Sequence, residues 1–134
     1  MSSTTEKVIV MVDDEKAYVE LLAARLAENL DRRVVAFTRP LDALAALPSL
    51  AVGVVVTDYS MPQLNGFEFA GQVSRLLPGV PCILITGHAI ELADAGEQPA
   101  LRTMLQKPFG WRELAEEIVH WWPGPDAIAI RPAS

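Results

Sequence analysis

The sequence predicts a doubly wound α/β domain, in which a five-stranded parallel sheet carries helices on both faces. Short apolar runs rich in Val and Ile alternate with longer segments of helical periodicity. This alternation is typical of parallel strands that are joined by crossover helices. The predicted strands are Val8–Val12, Val34–Phe37, 52–57, Cys82–Thr86 and a weaker run at 102–105.

Helices are predicted between these strands and after the last one. Pro40 favours a helix start, and the Pro-Gly pairs at 78–79 and 123–124 favour helix ends. The segment 89–100 contains Gly and Pro, so we expect a short or poorly ordered fourth helix there. Apolar residues at helical spacing mark the buried faces: Tyr18, Leu22 and Leu26; Phe69, Val73 and Leu76; Trp111, Leu114, Ile118 and Trp122.

Composition excludes several classes of protein. The formal net charge is −6 and the basic residues are scattered, so direct nucleic-acid binding is disfavoured. No apolar run is long enough for a membrane span, and the first seven residues do not resemble a signal peptide. The single cysteine, Cys82, cannot form an intramolecular disulfide. We therefore expect a cytoplasmic protein.

The chain length favours one domain. We expect a disordered N-terminus at 1–6, the folded domain at 7–122 and a Pro-rich C-terminal tail at 123–134, with no attached output domain. Trp121 and Trp122 end the last helix, and helical spacing points one ring away from the core. That ring is either an interface anchor or is covered by the tail.

Polar residues cluster where the predicted strands end. Asp13 and Asp14 follow the first strand, Asp58 the third, Thr86 ends the fourth, and Lys107 follows the fifth. Ligands of parallel sheets bind at this edge. If the strand order is 2-1-3-4-5, the first and third strands are adjacent and the three carboxylates share one pocket.

Three neighbouring carboxylates must either raise a pKa or bind a cation. Mg²⁺ prefers such oxygen ligands and keeps positions for water and phosphoryl oxygens. The three carboxylates, Lys107 and Mg²⁺ together are electrically neutral, whereas without the ion two negative charges remain. Asp13, Asp14 and Asp58 are the predicted metal ligands, with the backbone carbonyl of Ser60 as a further one.

This set of residues can perform phosphoryl transfer. Asp58 is the candidate nucleophile and phosphoacceptor, Lys107 neutralises phosphoryl oxygens, and Thr86 donates its hydroxyl to one of them. Each residue also has a simpler interpretation. Asp13 and Asp14 could cap the first helix, Asp58 could belong to a turn, Thr86 could only end a strand, and Lys107 could be a solvated loop residue. The joint arrangement favours the functional interpretation.

Four segments carry a family resemblance. Residues 8–15 (VIVMVDDE) and 57–62 (TDYSMP), the latter followed by Gly66, resemble the start and the phosphoacceptor loop of response-regulator receiver domains. Residues 83–88 (ILITGH) resemble the switch-threonine strand, and 105–109 (LQKPF) resemble the lysine segment. The resemblance covers residues 7–122.

The resemblance implies a flavodoxin-like fold, a phosphohistidine donor on a sensor or hybrid histidine kinase, and an output face that rearranges on phosphorylation. It also implies a switch role for Thr86 and for the position three residues before Lys107. Receivers usually carry an aromatic residue at that position, and this chain has Met104. Methionine is flexible, so it is expected to couple less decisively to Thr86.

Several functions fit these features. The leading hypothesis is a stand-alone receiver that signals by protein contact and is not a turnover enzyme. Its alternative is a phosphorelay intermediate or sink that exchanges phosphate with a histidine phosphotransfer protein, and homodimerisation stays open. A pseudo-receiver would not need the complete pocket. A haloacid-dehalogenase-like phosphatase would need an Asp-x-Asp pair after the first strand, and a flavodoxin would need a phosphate-cradling loop there.

Overall fold

The computed structural model describes residues 6–87, 96, 100–124 and 128–132. Five parallel strands form one sheet in the order β2-β1-β3-β4-β5, which confirms the predicted fold. The strands are β1 Val8–Val12, β2 Val34–Phe37, β3 Val52–Asp58, β4 Cys82–Thr86 and β5 Leu101–Gln106. The helices are α1 Lys16–Leu30, α2 Pro40–Ala46, α3 Gly66–Leu76 and α4 Trp111–Trp121, with a 3₁₀ turn at Leu47–Ser49.

Each strand of the sheet centre contributes alternate side chains to two cores, one on each face. The first core lies under α1 and α4, and the second lies under α2 and α3. In β1, for example, Ile9 and Met11 belong to the first core, whereas Val8, Val10 and Val12 belong to the second. The period of two places successive side chains on opposite faces, and helices cover both.

The bounds of two strands differ from the prediction. β3 extends through Asp58, and β5 is longer by one residue at each end. The predicted fourth helix at 89–100 falls outside the described residues, apart from Gly96 and Ala100. None of the helices in the described part of the chain is long and apolar enough to cross a lipid bilayer.

A bulge in β3 lets an aromatic ring approach the sheet. Val8 pairs with Val52 and Ile9 with Val54, so Gly53 has no partner in this register. A Cβ atom on Gly53 would lie 2.5 Å from the Trp122 ring. Only glycine leaves room for this contact.

The C-terminal segment 128–132 returns to the first core. Ile128 is buried in that core and Ile130 packs against it, as do Trp121 and Trp122. The Arg131 backbone N–H donates to the carbonyl oxygen of Asn29, in the last turn of α1, at 2.6 Å. Both tryptophan side chains are partly buried, so neither ring projects freely from the end of α4.

Candidate phosphoryl-transfer site

The acidic residues meet at the carboxyl edge of the sheet. Asp13 and Asp14 follow the last residue of β1, and Asp58 is the last residue of β3, the neighbouring strand. One carboxylate oxygen from each aspartate lies within 4.8 Å of the others. Asp13 is 3% exposed and Asp58 is 6% exposed, whereas Asp14 is open to solvent. The adjacency of β1 and β3 brings the three predicted carboxylates together.

Lys107 supplies a cation to this cluster. It follows β5, and its backbone N–H donates to the carbonyl oxygen of Thr86 at 2.8 Å, which ties it to the end of β4. Its Nζ atom lies 3.4 Å from Asp13 Oδ2 and 3.7 Å from Asp58 Oδ1. The side chain is 23% exposed. It is therefore not the solvated loop residue of the simpler interpretation.

Burial dominates the electrostatics of the two inner aspartates. Burial raises the pKa of Asp13, and the hydrogen bond from the Glu15 backbone and the charge of Lys107 only partly oppose this. Burial and the neighbouring charge of Asp13 raise the pKa of Asp58 to about 6. For Lys107, burial lowers the pKa, but attraction to Asp13 and Asp58 outweighs it, so the pKa lies above its usual value. The cluster has more negative charge than its one lysine offsets.

The structure disagrees with the simpler interpretations, in which Asp13 and Asp14 cap the first helix and Asp58 belongs to a turn. Glu15, not Asp13 or Asp14, is the N-cap residue of α1, and its side chain makes no capping hydrogen bond. Asp13 Oδ1 instead accepts the Glu15 backbone N–H at 2.9 Å, which fixes the carboxylate at the end of β1. Asp58 lies within a strand and not in a turn.

Gly66 allows α3 to start close to Asp58. A Cβ atom at this position would lie 2.4 Å from Leu84 Cδ1 and 2.8 Å from the Asp58 carbonyl oxygen. The Gly66 N–H also donates to the Tyr59 carbonyl at 2.8 Å. Asn65 and Glu68 then form a capping box, with both hydrogen bonds at 2.9 Å. The loop after Asp58 is thus held at both ends.

The remaining predicted residues lie around this centre. Ser60 is exposed and lines the cavity above Asp58. Thr86 ends β4, one position beyond Ile85, the register partner of Asp58, and is 1% exposed. Met104 pairs in register with Leu84 on the neighbouring strand and is partly buried.

The sequence did not indicate two neighbours of Lys107. Glu15 Oε1 lies 3.7 Å from Nζ, and the centre of the Tyr18 ring lies 4.6 Å from it. Glu15 directly follows the aspartate pair, which was a usable signal. The spacing of Tyr18 indicated only a core-facing helix position. An open cavity of about 340 Å³ lies above the cluster, and it is lined by Asp14, Glu15, Asp58, Ser60, Gly87 and Lys107.

Comparison with known proteins identifies the family. The family model of the response regulator receiver domain matches residues 9–119. The chain therefore belongs to the response regulator receiver domain family, the signalling domains of two-component systems.

Individual relatives agree with this assignment. The response regulator protein TmoT of Ectopseudomonas mendocina is 30% identical over 84% of the chain, and the chain spans about half (51%) of that protein. The response regulator receiver protein CpdR of Brucella abortus is 28% identical over 84% of the chain, which spans 93% of it. The solved structure of TrrA from Thermotoga maritima, in complex with Mg²⁺-BeF, is 28% identical with a TM-score of 0.73, covering 84% of this chain and 96% of that one.

Proposed function

We propose that this domain accepts a phosphoryl group on Asp58 from a histidine kinase, in a reaction that depends on Mg²⁺. The observation that carries the proposal is the nearly buried Asp58 carboxylate, which shares a cluster with Asp13 and Asp14 and lies 3.7 Å from the Lys107 ammonium. A nucleophilic carboxylate beside a cation suits an attack on phosphorus.

The donor set fits Mg²⁺. Opposite ligands of an ideal octahedral site lie about 4.2 Å apart, since each bond is about 2.1 Å long. The carboxylate oxygens of Asp13, Asp14 and Asp58 lie within 4.8 Å, so small movements, or one water-mediated ligand, would suffice. Burial disfavours the charged forms of Asp13 and Asp58, and the charge of Asp13 adds to this effect at Asp58. A bound cation would stabilise these carboxylates. Asp13, Asp14, Asp58 and the Ser60 carbonyl would hold the ion, and TrrA, a relative, is described as a complex with Mg²⁺-BeF.

In the proposed reaction, an Asp58 carboxylate oxygen forms a bond to phosphorus while the P–N bond of a phosphohistidine breaks. The imidazole nitrogen of the donor keeps the electron pair of that bond. Lys107 neutralises charge on the phosphoryl oxygens, and Thr86 donates its hydroxyl to one of them. The bound Mg²⁺ would offset the negative charge that otherwise repels the incoming phosphoryl group. The domain then hydrolyses its own phosphate without acting as a turnover enzyme.

We further propose that Thr86 and Met104 transmit the phosphorylated state to an output face. Thr86 is almost fully buried and is not among the residues that line the cavity. In this proposal the Thr86 hydroxyl donates to a phosphoryl oxygen, and the partly buried Met104, on the neighbouring strand, repacks in response. A methionine can do so at low cost because its side chain is flexible.

For the chain as a whole we propose a cytoplasmic protein whose receiver domain spans 7–122 and is followed by the tail at 123–134; the N-terminal segment predicted at 1–6 lies outside the described residues, apart from Glu6. The protein would signal by protein contact, either alone or as a homodimer. CpdR, a response regulator receiver protein that the chain covers over 93% of its length, supports the receiver role. A phosphorelay role, with a histidine phosphotransfer protein as partner, is the alternative. We propose no direct contact with nucleic acid or membrane.

Mass spectrometry tests the acceptor directly. Incubation with Mg²⁺ and acetyl phosphate should add one phosphoryl group to the wild-type chain and none to Asp58→Asn. Asp42→Asn is the matched control, because Asp42 is an exposed carboxylate in the first turn of α2. Labelling of Asp58→Asn at the wild-type level would place the acceptor elsewhere.

The role of Lys107 requires a separate measurement. Lys107→Ala should leave Mg²⁺ affinity largely intact while weakening the capture of beryllofluoride, because the ammonium faces phosphoryl oxygens and does not bind the metal ion. Titrations of the two ligands separate these effects. Lys16→Ala, which removes an exposed ammonium paired with Glu20, is the control. Equal losses of both affinities would contradict the role.

A further inference from the structure

The Lys107 ammonium is surrounded by carboxylates, but none of them holds it closely. Its distances to Asp13, Asp58 and Glu15 are 3.4, 3.7 and 3.7 Å, longer than the 2.7–2.9 Å that is typical of a charged hydrogen bond. Glu15 is also 68% exposed, so water screens its attraction. The ion pairs alone therefore leave the position of the ammonium loosely defined.

An aromatic face also lies close to the ammonium. The Nζ atom is 4.6 Å from the centroid of the Tyr18 ring, well within the range of about 6 Å for a cation–π contact. Such a contact attracts the cation through the ring quadrupole and occupies none of the carboxylate oxygens. It is therefore compatible with Asp13 and Asp58 engaging other ligands.

The Tyr18 ring is itself positioned by apolar packing. Tyr18 lies in the first turn of α1 and packs against the first core. It also lines a mostly apolar cavity of about 160 Å³ with Leu21, Leu22, Arg25 and Trp111. The start of α1 is in turn tied to the acidic cluster through the hydrogen bond from Glu15 to Asp13.

We propose that Tyr18 is a positioning residue for phosphoryl capture, whose ring holds the Lys107 ammonium over the acidic cluster. The inference rests on the proposed function, since it assumes that Lys107 binds phosphoryl oxygens. The ring keeps its attraction for the ammonium when the carboxylates turn to a metal ion or to the phosphoryl group. The tyrosine hydroxyl is not required for this role.

A set of variants separates this role from ordinary packing. Tyr18→Leu removes the aromatic face, and Tyr18→Phe retains it. Leu22→Ala is the matched control, because Leu22 lies on the same apolar wall without being among the contacts of Lys107. Replacing Tyr18 by singly and multiply fluorinated phenylalanines weakens the quadrupole in steps at nearly constant shape, which keeps the test decisive if Tyr18→Leu does not fold.

The readouts are the dissociation constants of Mg²⁺ alone and of beryllofluoride at saturating Mg²⁺, and the NMR shifts of the Lys107 Hε protons. Loss of the ring should weaken beryllofluoride binding roughly threefold to thirtyfold, the range expected for a cation–π contact, and change Mg²⁺ binding less than twofold. The Hε protons should move downfield as the ring current disappears. Tyr18→Phe and Leu22→Ala should retain wild-type values, and the fluorinated series should weaken binding in order of fluorine content.

Three outcomes would overturn the proposal. Unchanged beryllofluoride binding in Tyr18→Leu or across the fluorinated series would remove the role of the ring. Parallel losses of Mg²⁺ and beryllofluoride affinity, matched by Leu22→Ala, would reduce Tyr18 to a packing residue. If the wild-type protein captured no beryllofluoride, the proposed function would fail, and the role of Tyr18 with it. If the wild-type protein captured beryllofluoride but the Tyr18 variants did so equally well, only the role of Tyr18 would fail.

Discussion

Two regions of this domain use a glycine to permit a close approach, but they do so for opposite purposes. At the acidic rim, formed by Asp13, Asp14, Asp58 and Lys107, Gly66 lets α3 begin against the backbone of Asp58. At the aromatic end, formed by Gly53 and Trp122, a glycine lets an indole ring pack onto β3. The first approach lies beside the backbone of a buried charged residue, and the second buries apolar surface.

The difference shows how the domain separates stability from reactivity. Burial of like charges at the acidic rim opposes folding, as the raised pKa values of Asp13 and Asp58 indicate. The aromatic end and the C-terminal segment 128–132 add apolar contacts to the first core. We therefore expect substitutions at the two regions to change stability in opposite directions.

The largest expected loss follows removal of the Trp122 ring. Trp122→Ala should lower the free energy of unfolding by about 3 kcal/mol, because the packing of the ring against the bulge at Gly53 and the first core disappears. Urea unfolding followed by circular dichroism measures the change.

A second variant separates the packing of the Trp122 ring from the effect of its indole N–H group. The Trp122 indole N–H is buried without a hydrogen-bond partner among the described residues. Trp122→Phe removes this group and keeps an aromatic ring, so it should cost about 1 kcal/mol or less.

Gly53→Ala should destabilise the wild type by about 2 kcal/mol through overpacking, and clearly less in the Trp122→Ala background. Additive effects would show that the ring does not press on Gly53.

The next largest effect concerns the C-terminal segment. Ile128→Ala should cost about 2 kcal/mol, since Ile128 is 8% exposed and belongs to the first core. Thermal unfolding measures the loss. The neighbouring Ala129 is exposed, so Ala129→Ser should change stability by less than about 0.5 kcal/mol. If both variants had the wild-type midpoint, the segment would contribute nothing to the core.

At the acidic rim, a substitution should raise the free energy of unfolding instead of lowering it. Asp58→Asn should stabilise the metal-free protein by about 2 kcal/mol at pH 8, because the folded state then no longer buries a charged carboxylate. The pKa of Asp58 is raised to about 6 in the folded protein, above its value in the unfolded chain. The folded state therefore binds more protons between these two values, and the cost of the charge is fully present above about pH 6.

The pH dependence makes this prediction specific. The gain from Asp58→Asn should shrink as the pH falls through 6 and should vanish only below about pH 3, where Asp58 is protonated in both states. Unfolding curves in EDTA across this range provide the measurement, with Asp42→Asn as the control. A gain that did not depend on pH would show that buried charge is not its cause.

The smallest expected effect lies in the loop that leads from Asp58 to α3. Asn65→Ala removes the acceptor of the capping box, which should cost about 1 kcal/mol. Asn65→Asp retains an acceptor and should remain close to the wild type. Chemical denaturation compares the two variants, and equal losses would mean that the side-chain acceptor does not stabilise α3.

Much of the sheet was predictable because its signal is local. Strands of a parallel sheet are short apolar runs, and the bounds of β1, β2 and β4 coincide with the predicted ones. β5 was less distinct, since it includes the polar residues Arg102, Thr103 and Gln106, so its length was underestimated. The acidic residues were predictable as candidates because each follows or ends a strand.

Contacts between distant segments were not predictable in the same way. Tyr18 was assigned only a core-facing position, because helical spacing cannot show that the ring also meets an ammonium that lies far along the chain. Likewise, the fold-back of the tail was one of two alternatives for the tryptophans. The structure shows the fold-back because Ile128 packs in the first core. This contact joins distant parts of the chain, so no local sequence pattern indicates it.

The sequence by itself determined the alternation of strands and helices and the identity of the polar residues at the strand ends, since these follow from periodicity and residue chemistry. The tertiary structure alone decided the distances between Asp13, Asp58 and Lys107, the burial that raises the aspartate pKa values, and the neighbours Glu15 and Tyr18. Those quantities depend on which strands are adjacent and on how far water is excluded. Both are set by packing of the whole chain and not by any single segment.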